Sequence, residues 1–207
     1  MTVDRPRVEA LVRELLEAIG EDPDRPGLRQ TPHRVAEAYA EFFSGVGVDA
    51  AAPLDRTISV SRGPAPETVS SGAVLLRDVQ FRSVCEHHLL PFLGAAHIAY
   101  LPGEQVVGLG ALPRVVDALA SRPQVQERLG EQIADAIGSR IDARGVLVVL
   151  DAVHGCVTSR GERQPMDAAA LLAALRKRLV ELLKPGEQPL DVSGHKPYVL
   201  LMVGVNG

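Results

Sequence analysis

Both cysteines of this chain lie beside histidines, in two clusters that only folding can bring together. The first cluster is Cys85-Glu86-His87-His88, and the second is His154-Gly155-Cys156. Two thiolates and an imidazole form a ligand set that suits a borderline-soft metal, and zinc matches it best. Three protein ligands leave a fourth tetrahedral position open, as in catalytic zinc sites. The clusters therefore predict a zinc hydrolase whose fold joins two distant segments.

The cysteines have two other interpretations, as buried apolar residues or as a disulfide. The first seven residues lead into an amphipathic segment and not into the apolar core of a signal peptide. No apolar run reaches the ~18 residues that a membrane span needs. We therefore expect a cytoplasmic chain with no membrane partner. Reducing conditions there favour metal binding over a disulfide.

The charge balance excludes one class of partner. The net charge is −4, so the chain has no basic surplus with which to neutralise a nucleic-acid backbone. Aromatic residues make up only 3%, which leaves few platforms for stacking bases. A small molecule that carries phosphate remains compatible, because a few arginines suffice to bind it.

Residues 1–66 are predicted to form an N-terminal helical region and a linker. Apolar residues recur at helical spacing from Val8 to Ile19, and Gly20 is a typical helix stop. Thr31-Pro32 predicts an N-cap and the first residue of a second helix, which ends near Ser44-Gly45. Residues 46–66 lack helical periodicity and contain three prolines, so we expect an extended linker there.

Residues 67–207 are predicted to form the catalytic domain. Its pattern predicts a strand from about 73 into the first cluster, a turn at 89–94, a strand at 96–101, a helix at 112–119, a helix opened by Pro123, and a central strand at 146–154. Alternation along that last strand would point His154 and Cys156 the same way. At the C-terminus we expect a helix at 167–183 and a closing strand at 198–205. A strand at 170–179 is the alternative.

Three motifs resemble those of the GTP cyclohydrolase I family. They are the segments 83–92, 122–129 and 151–156, the last followed by Arg160-Gly161. The resemblance covers residues ~8–161, and together the motifs are highly specific. It implies an α+β tunnelling fold (T-fold), in which an antiparallel sheet carries two helices on one face beside an N-terminal helical pair. It also implies a homo-oligomer in the form of a decameric ring.

The resemblance also implies a reaction. GTP and water would give 7,8-dihydroneopterin triphosphate and formate, through zinc-activated water that attacks C8 of guanine. Cys85, His88 and Cys156 would hold Zn²⁺. The spacing alone leaves the choice between His87 and His88 open, and the resemblance selects His88.

The remaining site residues follow from the same motifs. His87 and His154 would be acid/base groups, since imidazole titrates near neutral pH; the alternative is that one of them only orients other groups. Glu127 would accept hydrogen bonds from guanine N1–H and the 2-amino group, with Gln126 in the same pocket. Arg114 and Arg160 would bind the triphosphate. Each of these charged residues also has an ordinary interpretation as a solvated surface charge.

The chain departs from the family on the phosphate side. Gly110 and Ala111 stand where the family has a Ser-Lys pair, and the segment after residue 165 favours a helix where the family has a strand. These departures leave two alternatives open. One is a paralogue that performs the same ring opening on a guanine compound with fewer phosphates, or stops at a formamidopyrimidine. The other is a non-catalytic protein that binds zinc or nucleotide.

Overall fold

The computed structural model describes residues 3–59 and 72–160 and the backbone strand 198–206. These residues form an α+β structure, as predicted. Its elements in chain order are α1 Arg5–Ala18, α2 Thr31–Phe42, a 3-10 helix Ala52–Asp55, β1 Thr57–Ser59, β2 Val74–Cys85, β3 Pro91–Leu101, β4 Gln105–Val107, α3 Ala111–Ala120, β5 Pro123–Gln124, α4 Gln126–Arg140, β6 Gly145–His154, α5 Gly155–Thr158 and β7 Tyr198–Asn206.

The main sheet has five strands in the order β5-β2-β3-β6-β7. The inner pairs β2-β3 and β3-β6 are antiparallel, as the family resemblance implies. The outer strands β5 and β7 each run parallel to their neighbour, so the sheet as a whole is mixed. β6 lies between β3 and β7, which confirms an interior position for the strand that leads to the second cluster. β1 and β4 form a separate antiparallel pair.

The core lies between one face of this sheet and the helices α3 and α4. Alternate residues of β6, such as Val148 and Leu150, are fully buried because every second side chain points toward these helices. The opposite face carries exposed apolar side chains, including Leu75, Leu93 and Val153. Among the described residues, α3 and α4 thus lie on the buried face of the sheet, and the side chains named on the other face are exposed.

Local signals explain the N-terminal helical pair. Asp4 caps α1, since its Oδ1 accepts a hydrogen bond from the backbone N–H of Arg7 at 3.1 Å. Gly20 adopts φ +85 just after α1, where only glycine is unstrained, so the predicted stop is confirmed. The predicted cap of α2 is wrong by one residue. Thr31 is its first helical residue, and Gln30 occupies the cap position without a side-chain hydrogen bond.

The prediction of an extended linker at 46–66 is wrong over the part that the structure describes. Leu54 lies in the 3-10 helix and is fully buried in the core. The following strand β1 pairs with β4. A single buried leucine produces no periodicity, which is why the sequence gives no sign of this anchor. Residues 60–66 lie outside the described range.

Two other boundaries differ from the predicted ones. The turn expected at 89–94 is shorter, since β3 already begins at Pro91. Pro123 does not open a helix but pairs with Val84 in β5, and α4 begins at Gln126. Proline has no N–H to donate, and an edge strand tolerates this.

The last described element is a strand, β7. β7 confirms the predicted closing strand, whereas the segment 167–183, helix or strand, lies outside the described residues. Among the described helices, none has both the length and the apolar character needed to cross a bilayer.

Candidate metal and catalytic site

The first cluster occupies the tight turn between β2 and β3. The backbone N–H of Leu89 donates to the carbonyl of Cys85 at 2.8 Å, and the N–H of Cys85 donates to the carbonyl of Leu90 at 2.9 Å. Leu89 adopts φ +53, which closes the turn. The turn leaves Cys85 buried at the end of its strand and exposes His87 and His88.

The second cluster reaches the first because β6 pairs with β3. Their register places His154 opposite Phe92. Beyond His154 the chain turns into the short helix α5, so Cys156 is a helical residue and the predicted strand alternation does not apply to it. A Cβ on Gly155 would lie 2.6 Å from the carbonyl oxygen of Pro91. Glycine at this position therefore permits the close approach that carries Cys156 to the first turn.

In the part of the chain that the structure describes, one group of three His, Cys, Asp or Glu residues has ligand atoms close enough to share a metal ion. It consists of Cys85, His88 and Cys156, whose ligand atoms all lie within 4.8 Å of one another. His87 is not part of it, although its Nδ1 lies 3.9 Å from Sγ of Cys85. Both cysteines are free thiols. Two sulfurs and one nitrogen form a ligand set that fits zinc with an open fourth position.

Burial and the proximity of the two thiols affect their charge state. Burial raises the pKa of the Cys156 thiol, and the neighbouring Cys85 raises it further. A metal ion reverses this effect, because it binds the thiolate and displaces the proton. Arg160 lies beside the group, with Nε donating to the carbonyl of Cys156 at 2.8 Å and an Nη 2.9 Å from Nε2 of His88.

His154 is held in place on two sides. Its ring stacks on that of Phe92, with centroids 4.9 Å apart and planes at 10°. Its Nε2 lies 2.7 Å from Oε1 of Gln126. Burial lowers the pKa of His154, and the negative charge of Glu127 acts in the opposite direction. The neutral imidazole is therefore favoured, in an orientation that two neighbours fix.

The two predicted guanine ligands lie in different environments. Glu127 is exposed at the start of α4. Gln126 is only 1% exposed, and its Nε2 donates to the carbonyl of Leu150 at 3.0 Å. Adjacent residues on a helix point about 100° apart, so only one of the pair can face an open cleft. The adjacency of Gln126 and Glu127 in the sequence already indicated that their side chains point in different directions.

The residues predicted to bind phosphate lie in different parts of the fold. Arg114 is exposed on α3, and its Nε donates to the carbonyl of Gly110 at 3.0 Å, within the same turn of helix. Ala111 is 3% exposed and packs in the core. Of the two predicted phosphate ligands, the structure thus brings Arg160 next to His88 and Cys156.

Sequence reasoning missed a tether between α4 and the first turn. Arg128 forms an ion pair with Glu86, which lowers the pKa of that carboxyl. Its Nε donates to Oε1 of Gln124 at 3.1 Å, and the carbonyl of Gln124 accepts the N–H of Glu86 at 3.0 Å. The spacing of Gln124 and Arg128, four residues apart, is the one local sign of this network.

Comparisons with known proteins agree with this geometry. A sequence model of GTP cyclohydrolase I matches residues 8–177. The chain is 62% identical over 171 residues to "GTP cyclohydrolase 1" of Leifsonia xyli subsp. xyli, which covers 83% of this chain and 86% of that protein. It is 51% identical over 174 residues to the protein of the same name from Rhodopirellula baltica, covering 84% and 72%. For the Thermobifida fusca protein of that name, identity is 46% over 192 residues, covering 92% and 88%. The chain therefore belongs to the GTP cyclohydrolase I family.

Proposed function

We propose that this chain converts GTP and water into 7,8-dihydroneopterin triphosphate and formate, a pterin-forming step of tetrahydrofolate biosynthesis. The observation that carries this is the group of Cys85, His88 and Cys156 beside His154 and Glu127, in a chain of this family. A metal site, a proton-transfer group and a carboxylate for guanine are the parts that hydrolysis of a purine ring requires.

Zinc is the proposed cofactor, held by Cys85, His88 and Cys156. The ligand set of two thiolates and one imidazole supports zinc over metals that prefer oxygen ligands. When bound, zinc lowers the pKa of water and so makes a hydroxide nucleophile available near neutral pH.

The protein residues then bind the substrate and move protons. Glu127 offers paired acceptors to N1–H and the 2-amino group of guanine, and its exposure at the start of α4 supports this role. His154 and His87 exchange protons with the ring nitrogens as the ring opens. Arg160 and Arg114 bind the triphosphate, since guanidinium groups pair with phosphate oxygens in a bidentate manner.

The assembly follows from the same proposal. Residues 67–207 form a catalytic domain of the T-fold, and residues 1–66 form the N-terminal region. The chain acts in the cytoplasm as a ring-shaped homo-oligomer, a decamer by resemblance. The open sheet face with Leu75, Leu93 and Val153 supports association, because exposed apolar patches mark contact surfaces.

Mass spectrometry of the products from zinc-loaded protein and GTP tests the proposal. A dihydroneopterin triphosphate together with formate supports it. A formamidopyrimidine, or turnover only of GDP or GMP, favours the paralogue. The observation that supports this alternative is Ala111, because its buried side chain supplies no cation to a phosphate. Unchanged nucleotide in every reaction indicates a protein that binds without turnover.

A further inference from the structure

The side-chain amide of Gln126 is enclosed, and both of its ends are engaged. Its Nε2 donates to the carbonyl of Leu150 at 3.0 Å, and its Oε1 faces Nε2 of His154 at 2.7 Å. A carbonyl oxygen only accepts, so the NH₂ end must face Leu150 and the oxygen must face the ring. That oxygen also only accepts. The Nε2 atom of His154 therefore carries a hydrogen and donates it to Gln126.

The ring has little freedom to adopt another arrangement. His154 stacks on Phe92, which is 1% exposed and belongs to the neighbouring strand β3. Rotation of the ring would break this stacking and also the hydrogen bond to the buried Gln126, which is costly in an enclosed site. With Nε2 engaged by Gln126, Nδ1 is the ring nitrogen left for contact with a substrate.

We propose that Gln126 is a positioning residue, whose buried amide accepts the hydrogen on Nε2 of His154 and so fixes the ring in the orientation that leaves Nδ1 for the substrate. The hydrogen bond made by one imidazole nitrogen fixes the chemical role of the other. This inference rests on the proposed function, in which His154 moves protons. It replaces the expected contact between Gln126 and guanine with an indirect role.

The test compares two buried glutamines. Gln126→Met keeps most of the side-chain volume and removes the hydrogen bonds to Leu150 and His154. Gln124→Met is the control for loss of a buried amide, because Gln124 is also 1% exposed and its amide donates to the carbonyl of Leu119 and to Gln132. Its Oε1 also accepts from Arg128, so this variant is compared for the state of His154 and not for turnover. Solid-state NMR of protein with ¹⁵N-labelled histidine reports which ring nitrogen carries hydrogen, with and without zinc. The signals of His154 are identified by their absence in His154→Asn.

In the wild type and in Gln124→Met, we expect the ring hydrogen of His154 on Nε2. In Gln126→Met, we expect the hydrogen to exchange between Nδ1 and Nε2. The kcat of Gln126→Met for GTP should fall about tenfold to hundredfold, as for other residues that orient a functional histidine, with KM nearly unchanged. A wild type with hydrogen on Nδ1 overturns the proposal without any variant. A raised KM with unchanged kcat also overturns it, since that result marks a guanine contact. A wild type that carries hydrogen on Nε2 but does not turn over GTP would refute the proposed function and leave the tautomer assignment standing.

Discussion

Arg128 on α4 forms an ion pair with Glu86, the residue between the proposed metal ligand Cys85 and the proposed acid/base group His87. Arg128 also follows Glu127 directly in the chain. One side chain thus links the turn that holds the proposed metal to the helix end that holds the proposed guanine ligand.

Loss of this ion pair should make the turn between β2 and β3, which carries Cys85 and His88, less well ordered. We predict that Arg128→Gln weakens zinc binding about tenfold, as for other residues that support metal ligands. The effect on folding should be small. The side chains of Arg128 and Glu86 are 40% and 33% exposed, so a double-mutant cycle with Glu86→Gln should give a coupling energy of no more than about 1 kcal/mol. Chelator competition measures the affinity, and denaturant unfolding measures the coupling. Arg140→Gln is the control, since Arg140 has similar exposure and pairs with Asp55; an equal loss of zinc affinity in that variant would contradict the tether.

Variants of the adjacent residues His87 and His88 should differ in their zinc content. Wild-type protein should hold about one zinc ion per chain, and Cys156→Ser or His88→Asn should lose it, because a site with two remaining ligands binds weakly. His87→Asn should keep its zinc and lose GTP turnover. Elemental analysis of purified variants measures the first effect. Full zinc content in His88→Asn would refute the assigned ligand set.

Gly155 should tolerate no side chain. A methyl group there would lie 2.6 Å from the backbone oxygen of Pro91, so the α5 turn and β3 would have to move apart. We expect Gly155→Ala to lower the free energy of unfolding by about 1–3 kcal/mol and to weaken zinc binding. Gly108→Ala is the matched control, because a methyl group there meets nothing within 4 Å. Equal stabilities of the two variants by denaturant unfolding would show that the junction yields without strain.

His33 should make the N-terminal helical pair sensitive to pH. Its pKa is raised by the hydrogen bond to Glu9 on α1 and then by the charge of Glu37 on its own helix, against a smaller opposing effect of Arg5. A raised pKa means that protonated His33 stabilises the folded state below its ordinary pKa of about 6.5, and that this contribution disappears as pH rises through the folded value.

The measurement for His33 is the stability difference between wild type and His33→Gln. It should favour the wild type at about pH 5.5 and vanish at about pH 8.5. In a Glu9→Gln background the pH dependence should shrink. A difference that is constant with pH, or that grows toward alkaline pH, contradicts the interpretation.

The arginines should discriminate by phosphate number. A hydrogen bond to a charged group is worth about 1.5–3 kcal/mol, so Arg160→Ala should weaken kcat/KM for GTP by about 10- to 150-fold. Guanosine, which has no phosphate, should be affected much less. Arg114→Ala gives the parallel series on α3. An equal loss for GTP and guanosine would show that Arg160 supports His88 and Cys156 and does not bind phosphate.

Periodicity and motif spacing predicted most elements of this fold, because the core is built by alternation in β6 and by the apolar faces of α3 and α4. The grouping of Cys85, His88 and Cys156 was also predictable from the two clusters and the family motifs. The features that the sequence did not reveal depend on contacts between distant segments. Leu54 is buried by α3, and Pro123 pairs with β2 across the sheet. Neither contact leaves a local pattern.

The role of Gln126 shows the same limit within the site. Its motif resemblance pointed to the substrate, whereas its surroundings in the fold are Leu150 and His154. A motif states which residues belong to a site. Whether a residue faces the ligand or supports its neighbour depends on the packing around it.

The register between β3 and β6 also has a kinetic consequence. The β2–β3 hairpin brings together only the first half of the metal site, and Cys156 arrives only after β6 has docked across a loop that contains α3 and α4. Closing such a loop costs entropy, which makes this docking a late event. The proposed zinc site would therefore be complete only in a nearly native chain. Zinc binding should slow unfolding far more than it accelerates folding. The metal would therefore stabilise the native state kinetically and would not take part in the folding nucleus.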